Sequence, residues 1–160
     1  MNKQIEIGVM GQANHGKKTL VNAINSSTNS NYKYINFETD KEEISKNIDT
    51  AILVVDVLEG VTPQTREHIL YSKQLGIENI IVFINKCDIT DNENLVAAIK
   101  YQVMDLLFAY GYSEENVSMI TGSALKALVG KKEYIEKIIE LTNKVNEVTP
   151  NNKKLIKSKK

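Results

Sequence analysis

A glycine-bearing segment near the start of the chain has residue types suited to binding phosphate. It reads Gly-Gln-Ala-Asn-His-Gly-Lys-Lys over residues 11–18. Glycines let successive backbone N–H groups turn toward phosphate oxygens, and a lysine at this position reaches the terminal phosphates. The next residue in such loops is Ser or Thr, whose hydroxyl binds magnesium. Here it is Lys18, whose ammonium has only donors and cannot coordinate a metal ion, which argues against magnesium.

Two further segments have the chemistry of a guanine site. The first is Asn-Lys-Cys-Asp at residues 85–88, directly after an apolar run, and the second is Ser-Ala-Leu at residues 123–125. An aspartate can accept two N–H bonds from a guanine edge, which adenine does not offer, and a lysine stem can cover the base plane. A backbone N–H of the second segment can meet guanine O6. Ligands of open α/β sheets bind beyond the carboxyl ends of strands, so the three segments together predict one nucleotide site.

The stretches between these segments alternate between strand and helix patterns. Apolar or β-branched runs predict strands at residues 5–9, 32–37, 51–55, 80–84 and 117–120. Helical spacing and capping residues predict helices at residues 19–24, 40–47, 63–75, 93–110 and 133–148. Strands alternating with helices imply a parallel sheet covered on both faces. We therefore predict one three-layer α/β domain over residues 1–150.

The helical spacing also assigns core positions. Leu70 falls on the apolar side of the helix predicted at residues 63–75, and Ile139 falls on that of the last helix. We expect both side chains to be buried against the sheet.

The composition is that of an ordinary globular protein. The chain has 160 residues, of which 42% are hydrophobic and 25% are charged, enough for one domain with its own core. Cys87 is the only cysteine, which excludes an intramolecular disulfide and fits a reducing compartment. No apolar run approaches the roughly 20 residues that cross a bilayer. We expect a cytoplasmic protein without membrane attachment.

The net charge of zero conceals an uneven distribution. The last ten residues hold five lysines and no acid, whereas the rest of the chain has 15 basic and 20 acidic residues. A mildly acidic body is a poor platform for nucleic acid, so we expect no DNA partner. We expect residues 151–160 to form a disordered basic tail.

Four stretches match a known family closely. They are Ala-Ile-Leu-Val-Val at residues 51–55, Thr-Pro-Gln-Thr-Arg-Glu-His-Ile-Leu at 62–70, Val-Phe-Ile-Asn-Lys-Cys-Asp at 82–88 and Gly-Ser-Ala-Leu-Lys-Ala-Leu at 122–128. Almost position by position, they resemble the guanine-nucleotide domain of bacterial translation elongation factor Tu. The resemblance implies a small-GTPase-like P-loop NTPase fold with a mainly parallel five-stranded sheet, and GTP or GDP as ligand.

The resemblance also implies which residues bind the nucleotide. The phosphate-loop residues are Gly11, Gln12, Ala13, Asn14, His15, Gly16, Lys17, Lys18 and Thr19. The guanine-site residues are Asn85, Lys86, Asp88, Ser123, Ala124 and Leu125.

The chain departs from this family where hydrolysis is concerned. The family needs a magnesium-binding threonine in switch I and an Asp-Cys-Pro-Gly-His switch II, whose histidine positions the attacking water. No glycine lies between Gly16 and Gly60, and neutral Asn36 stands where the aspartate belongs, so both switches are expected to be missing. Neither His15 nor His68 matches the catalytic position. Each lost group typically lowers the rate about 10²–10³-fold, so we predict no catalytic residue and no metal ligand.

Three functional hypotheses follow. The leading one is a guanine-nucleotide binder that has lost most or all GTP hydrolysis, with Lys18 neutralising the diphosphate near the usual magnesium position. The second is a pseudoGTPase without nucleotide, whose helix at residues 64–75 competes for a protein partner of elongation factor Tu in the translation apparatus. The third is a weak GTPase completed by a partner. We expect no tRNA delivery, since the family's two following β-barrel domains have no counterpart in these residues.

Overall fold

Over the described residues, each predicted strand is present, and strands and helices alternate from the third strand to the fifth as the sequence predicts. The computed structural model describes residues 5–29, 32–38 and 48–149. The strands are β1 (Glu6–Met10), β2 (Lys33–Asn36), β3 (Thr50–Asp56), β4 (Asn79–Asn85) and β5 (Val117–Thr121). The helices are α1 (Lys17–Ser27), α2 (Pro63–Gln74), α3 (Glu93–Ala109), α4 (Ala124–Leu128) and α5 (Lys132–Val148), with short 3-10 helices at Cys87–Ile89 and Glu114–Asn116. The helix predicted at residues 40–47 and the basic tail lie outside the described residues.

The five strands form one parallel sheet in the order β2-β1-β3-β4-β5. The central strands β3 and β4 are buried over almost their whole length, which explains why their sequences read as continuous apolar runs. The strand order reverses between β1 and β3, and in open α/β sheets ligands bind at such a switch point. The loop after β1 occupies this position.

Helices cover both faces of the sheet and form two cores. Leu53 and Val55 of β3 pack with α2 and α3, whereas Ile52 and Val54 face α1, α4 and α5. This division follows from the alternation of side chains along a strand. Among the described residues, no helix combines the length and the apolar character needed to span a membrane.

Two core predictions were wrong. The side chain of Leu70 is 43% exposed and that of Ile139 is 40% exposed. Each directly follows a buried isoleucine, Ile69 in α2 and Ile138 in α5, and one residue turns a helix by about 100°, which carries the next side chain off the buried face. Helical spacing gives the direction of a stripe but not the width of the surface that covers it.

Candidate nucleotide-binding site

The phosphate loop follows β1 and leads directly into α1. Gly11 and Gly16 have φ angles of +134° and +102°, in the left-handed region that favours glycine. A Cβ on Gly11 would overlap the Val54 carbonyl oxygen, and one on Gly16 would overlap the Asn85 side-chain amide. Both glycines of the motif are therefore required by the close approach of the loop to the sheet and to the loop after β4.

The Lys17 side chain turns inward against this loop. It is only 4% exposed, and its Nζ donates to the carbonyl oxygens of Gly11 (2.8 Å) and Gln12 (3.1 Å). A third bond, of 2.8 Å, goes to Oε2 of Glu38, two residues beyond the end of β2. The sequence predicts Lys17 at the site, but no local signal identifies Glu38, because parallel pairing of β1 and β2 brings the two together.

Asn85 joins the three predicted loops. Its side chain is 3% exposed, and Nδ2 donates to the carbonyl oxygen of His15 at 2.8 Å. Its Oδ1 accepts from the backbone N–H of Ala124 at 3.0 Å. One buried side chain thus ties the phosphate loop to the loops after β4 and β5, and both polar groups of its amide are occupied by protein partners.

Lys86 and Ser123 hold the loops after β4 and β5 in place. Lys86 has a φ of +65°, and its Nζ contacts the carbonyl oxygen of Asn14 (2.8 Å) and Oδ2 of Asp56 (3.0 Å). The aliphatic stem of Lys86 therefore runs from the loop after β4 toward the phosphate loop. Ser123 is buried and begins α4, where its Oγ accepts from the Lys126 N–H at 3.2 Å.

A cavity of about 560 Å³ opens between these loops, within the usual size range of small-molecule sites. The predicted residues that line it are Asn14, Gly16, Lys17, Lys18, Thr19, Asn85, Lys86, Asp88, Ser123 and Leu125. Glu38 and Ile89 line it as well, although the sequence did not indicate them. Asn36, which the sequence aligns with the family's switch II aspartate, also lines the cavity. The other predicted residues, Gly11, Gln12, Ala13, His15 and Ala124, belong to the same loops but are not among the lining residues.

Helix α2 packs against the outer side of the phosphate loop. The backbone N–H of Gly11 donates to Nδ1 of His68, and that of Ala13 donates to Oε1 of Gln64, both at 2.8 Å. Because Nδ1 of His68 accepts, the proton of the neutral ring is on Nε2. The sequence gives His68 no catalytic role, and the structure gives it a supporting contact with the loop.

His15, Asp56 and Glu59 form a compact cluster with ligand atoms within 4.8 Å of one another. Nδ1 of His15 accepts from the Asp56 N–H at 3.2 Å, and Nε2 lies 3.2 Å from Oε2 of Glu59. The proton of the neutral ring is then on Nε2, which cannot coordinate a metal ion in that form. Hydrogen bonds among its own members account for this cluster.

Two groups near the site have shifted acidity. Burial opposes ionisation of Asp56, but the Leu58 N–H and the Lys86 ammonium outweigh it and lower the pKa of the Asp56 carboxyl. Burial raises the pKa of the half-buried Cys87 thiol, whose Sγ lies 3.3 Å from the Ile84 carbonyl oxygen. A raised pKa leaves less of the thiolate, so burial makes Cys87 a poor nucleophile.

Comparison with known families agrees with the resemblance found in the sequence motifs. A family model described as the elongation factor Tu GTP binding domain matches residues 33–151, well over half of the chain. The matched range begins after the phosphate loop and contains the loops after β4 and β5. The predicted α/β fold of the P-loop NTPase type, with its parallel five-stranded sheet, is confirmed.

Proposed function

The chain belongs to the elongation factor Tu GTP-binding domain family, and we propose that it binds GDP or GTP with little or no hydrolysis. The observation that carries this proposal is one cavity whose lining includes Lys17 and Lys18 of the phosphate loop together with Asp88 and Leu125, which follow β4 and β5. The ammonium groups would meet phosphate, and the Asp88 carboxylate would accept the two N–H groups of the guanine edge. The Lys86 stem would cover the base.

The end of β2 supports the loss of hydrolysis. By sequence, Asn36 aligns with the aspartate that opens the family's switch II, and its Oδ1 accepts from the Glu38 N–H at 2.9 Å. Phe37, next to Asn36, is completely buried in the core. Among the described residues that line the cavity, there is no histidine or glutamine to orient a water molecule. Efficient phosphoryl transfer depends on such positioning groups and on a metal ion.

Lys18 supports binding without a divalent cation. Its side chain is exposed and lines the cavity at the first turn of α1, where the motif ordinarily supplies a metal-binding hydroxyl. An ammonium at this position can neutralise a diphosphate directly, with the positive end of the helix dipole beside it. We propose that guanine nucleotides bind with similar affinity in magnesium and in excess chelator.

Titration of fluorescent GDP and GTP into nucleotide-stripped protein tests the proposal. We expect binding under both conditions, competition by unlabelled GDP but not by ADP, and no phosphate release above the rate of the buffer. Asp88→Asn should abolish the preference for guanine, whereas Asp91→Asn, at an exposed neighbouring position, should not. Lys18→Thr should make binding depend on magnesium.

Each part of the proposal has its own contrary result. Failure of the wild-type chain to bind either nucleotide would overturn guanine-nucleotide binding. Loss of binding in chelator would contradict only the role of Lys18. Multiple turnovers of GTP would contradict only the loss of hydrolysis.

An interaction module without nucleotide is the second candidate function. The observation that favours it is the apolar surface of α2, where Leu70 and Tyr71 are partly exposed on a helix whose sequence resembles the family. A partner bound there would contact the helix that supports the phosphate loop through Gln64 and His68. The absence of any nucleotide binding in the titration would favour this function.

A further inference from the structure

The hydrogen-bonding capacity of Lys17 is filled before any ligand arrives. An ammonium group has three N–H donors, and Lys17 has three acceptors within 3.1 Å: two loop carbonyl oxygens and the Glu38 carboxylate. Because Lys17 is almost completely buried, it has little room to recruit a fourth partner. A phosphate group that binds Lys17 must therefore displace one of these acceptors, and Glu38 is the only side chain among them.

Glu38 is held beside Lys17 by the residue that precedes it. Phe37 is wholly buried, and its ring makes edge-to-face contacts with His68 (6.0 Å between centroids) and Tyr71 (5.8 Å). The backbone N–H of Phe37 donates to the Val9 carbonyl oxygen at 2.9 Å, which extends the β1–β2 pairing by one residue. The backbone of Glu38 is thus anchored, whereas its carboxylate, 34% exposed, faces the cavity.

From this geometry, we infer that Glu38 is a specificity-determining residue that competes with the phosphate end of the nucleotide for Lys17. A carboxylate and a phosphate are both anions, and they would repel each other if both approached the same ammonium. The Ala13 N–H, a further potential donor to phosphate, is already bonded to Gln64. Glu38 therefore reduces the affinity gained from each added phosphate and leaves binding of the guanine base unaffected.

This inference rests on the proposed function, and a comparison of four ligands separates the two. Dissociation constants of guanosine, GMP, GDP and GTP are measured for the wild-type chain, for Glu38→Gln and for Glu115→Gln. Glu115 is an exposed glutamate next to the amino end of β5, so the third variant has the same charge change at the opposite edge of the sheet. A glutamine at position 38 keeps an oxygen to accept from Lys17, so the local fold is retained.

We expect Glu38→Gln to bind GDP and GTP at least about tenfold more tightly than the wild type, with guanosine affinity unchanged. Glu115→Gln should match the wild type for all four ligands. Equal GDP affinity in the wild type and Glu38→Gln would overturn the inference and leave the proposed function standing. An equal gain for guanosine and GDP would overturn it as well, because the effect would not involve phosphate. No binding of any ligand by either protein would overturn both.

Pyrophosphate gives a readout that does not depend on the guanine end. We expect it to raise the melting temperature of Glu38→Gln more than that of the wild type, because it needs only the phosphate loop. An equal rise in the two proteins would contradict competition by Glu38.

Discussion

The substitution Asn85→Ala tests the claim that one side chain joins the loops of the site. It removes the donor to the His15 carbonyl oxygen and the acceptor of the Ala124 N–H, two bonds of 2.8 and 3.0 Å made by a side chain that is almost fully buried. A buried backbone group left without a partner costs about 1–3 kcal/mol. We expect the free energy of unfolding to fall by about 2–5 kcal/mol, since two losses at one side chain need not add fully.

Urea denaturation monitored by circular dichroism measures this change, with Asn143→Ala as the matched control. Asn143 is exposed on α5, and its replacement removes the same atoms from a solvated position. The control should change the free energy of unfolding by less than about 1 kcal/mol, since alanine also favours the helix. For a chain of this size, the expected loss in Asn85→Ala corresponds to a melting temperature lower by about 4–20 °C.

A second variant separates the two bonds. Asn85→Asp keeps an oxygen for the Ala124 N–H but places a carboxylate against the His15 carbonyl oxygen, so it should be at least as destabilising as alanine. Two results would show that Asn85 does not hold the loops together. One is a fall of less than about 1 kcal/mol in the free energy of unfolding of Asn85→Ala, and the other is an Asn85→Asp variant as stable as the wild type.

Three further predictions test other parts of the structure. Gly16→Ala should lower the free energy of unfolding by about 1–3 kcal/mol in a urea titration, because φ is +102° and the added Cβ overlaps the Asn85 amide; unchanged stability would refute the strained geometry. Phe37→Ala should lower it by about 3–5 kcal/mol, since the side chain is fully buried, whereas Phe108→Ala, partly exposed on α3, should have a clearly smaller effect. The folded state lowers the pKa of Asp56, so its contribution to stability is complete above the ordinary carboxyl pKa and declines as the pH falls below about 4. Urea denaturation at pH 7 and pH 3 measures how much stability each protein loses on acidification. The free energy of unfolding of Asp56→Asn should fall less between pH 7 and pH 3 than that of the wild type, and an equal fall would contradict the role of Asp56.

Much of the fold could be predicted from local sequence patterns. Strands β3 and β4 can be recognised as continuous apolar runs, because both faces of these strands are buried. The ends of the helices differ from those predicted. Helix α1 begins at Lys17 rather than at residue 19, because the left-handed Gly16 directly precedes its first turn. Helix α4 has only five residues, too few for a helical period to be recognisable, and was not predicted.

The sequence by itself determined the family, the strand–helix alternation and the three loops of the site, because each depends on residue types at fixed local spacing. Only the tertiary structure decided that Glu38 faces Lys17 and that His68 supports Gly11, since the partners in these contacts lie 21 and 57 positions apart. Parallel pairing of β1 with β2 brings Glu38 to Lys17. Packing of α2 on the loop after β1 brings His68 to Gly11. A local pattern specifies one helix or strand, whereas a contact between two of them depends on the order of the strands in the finished sheet.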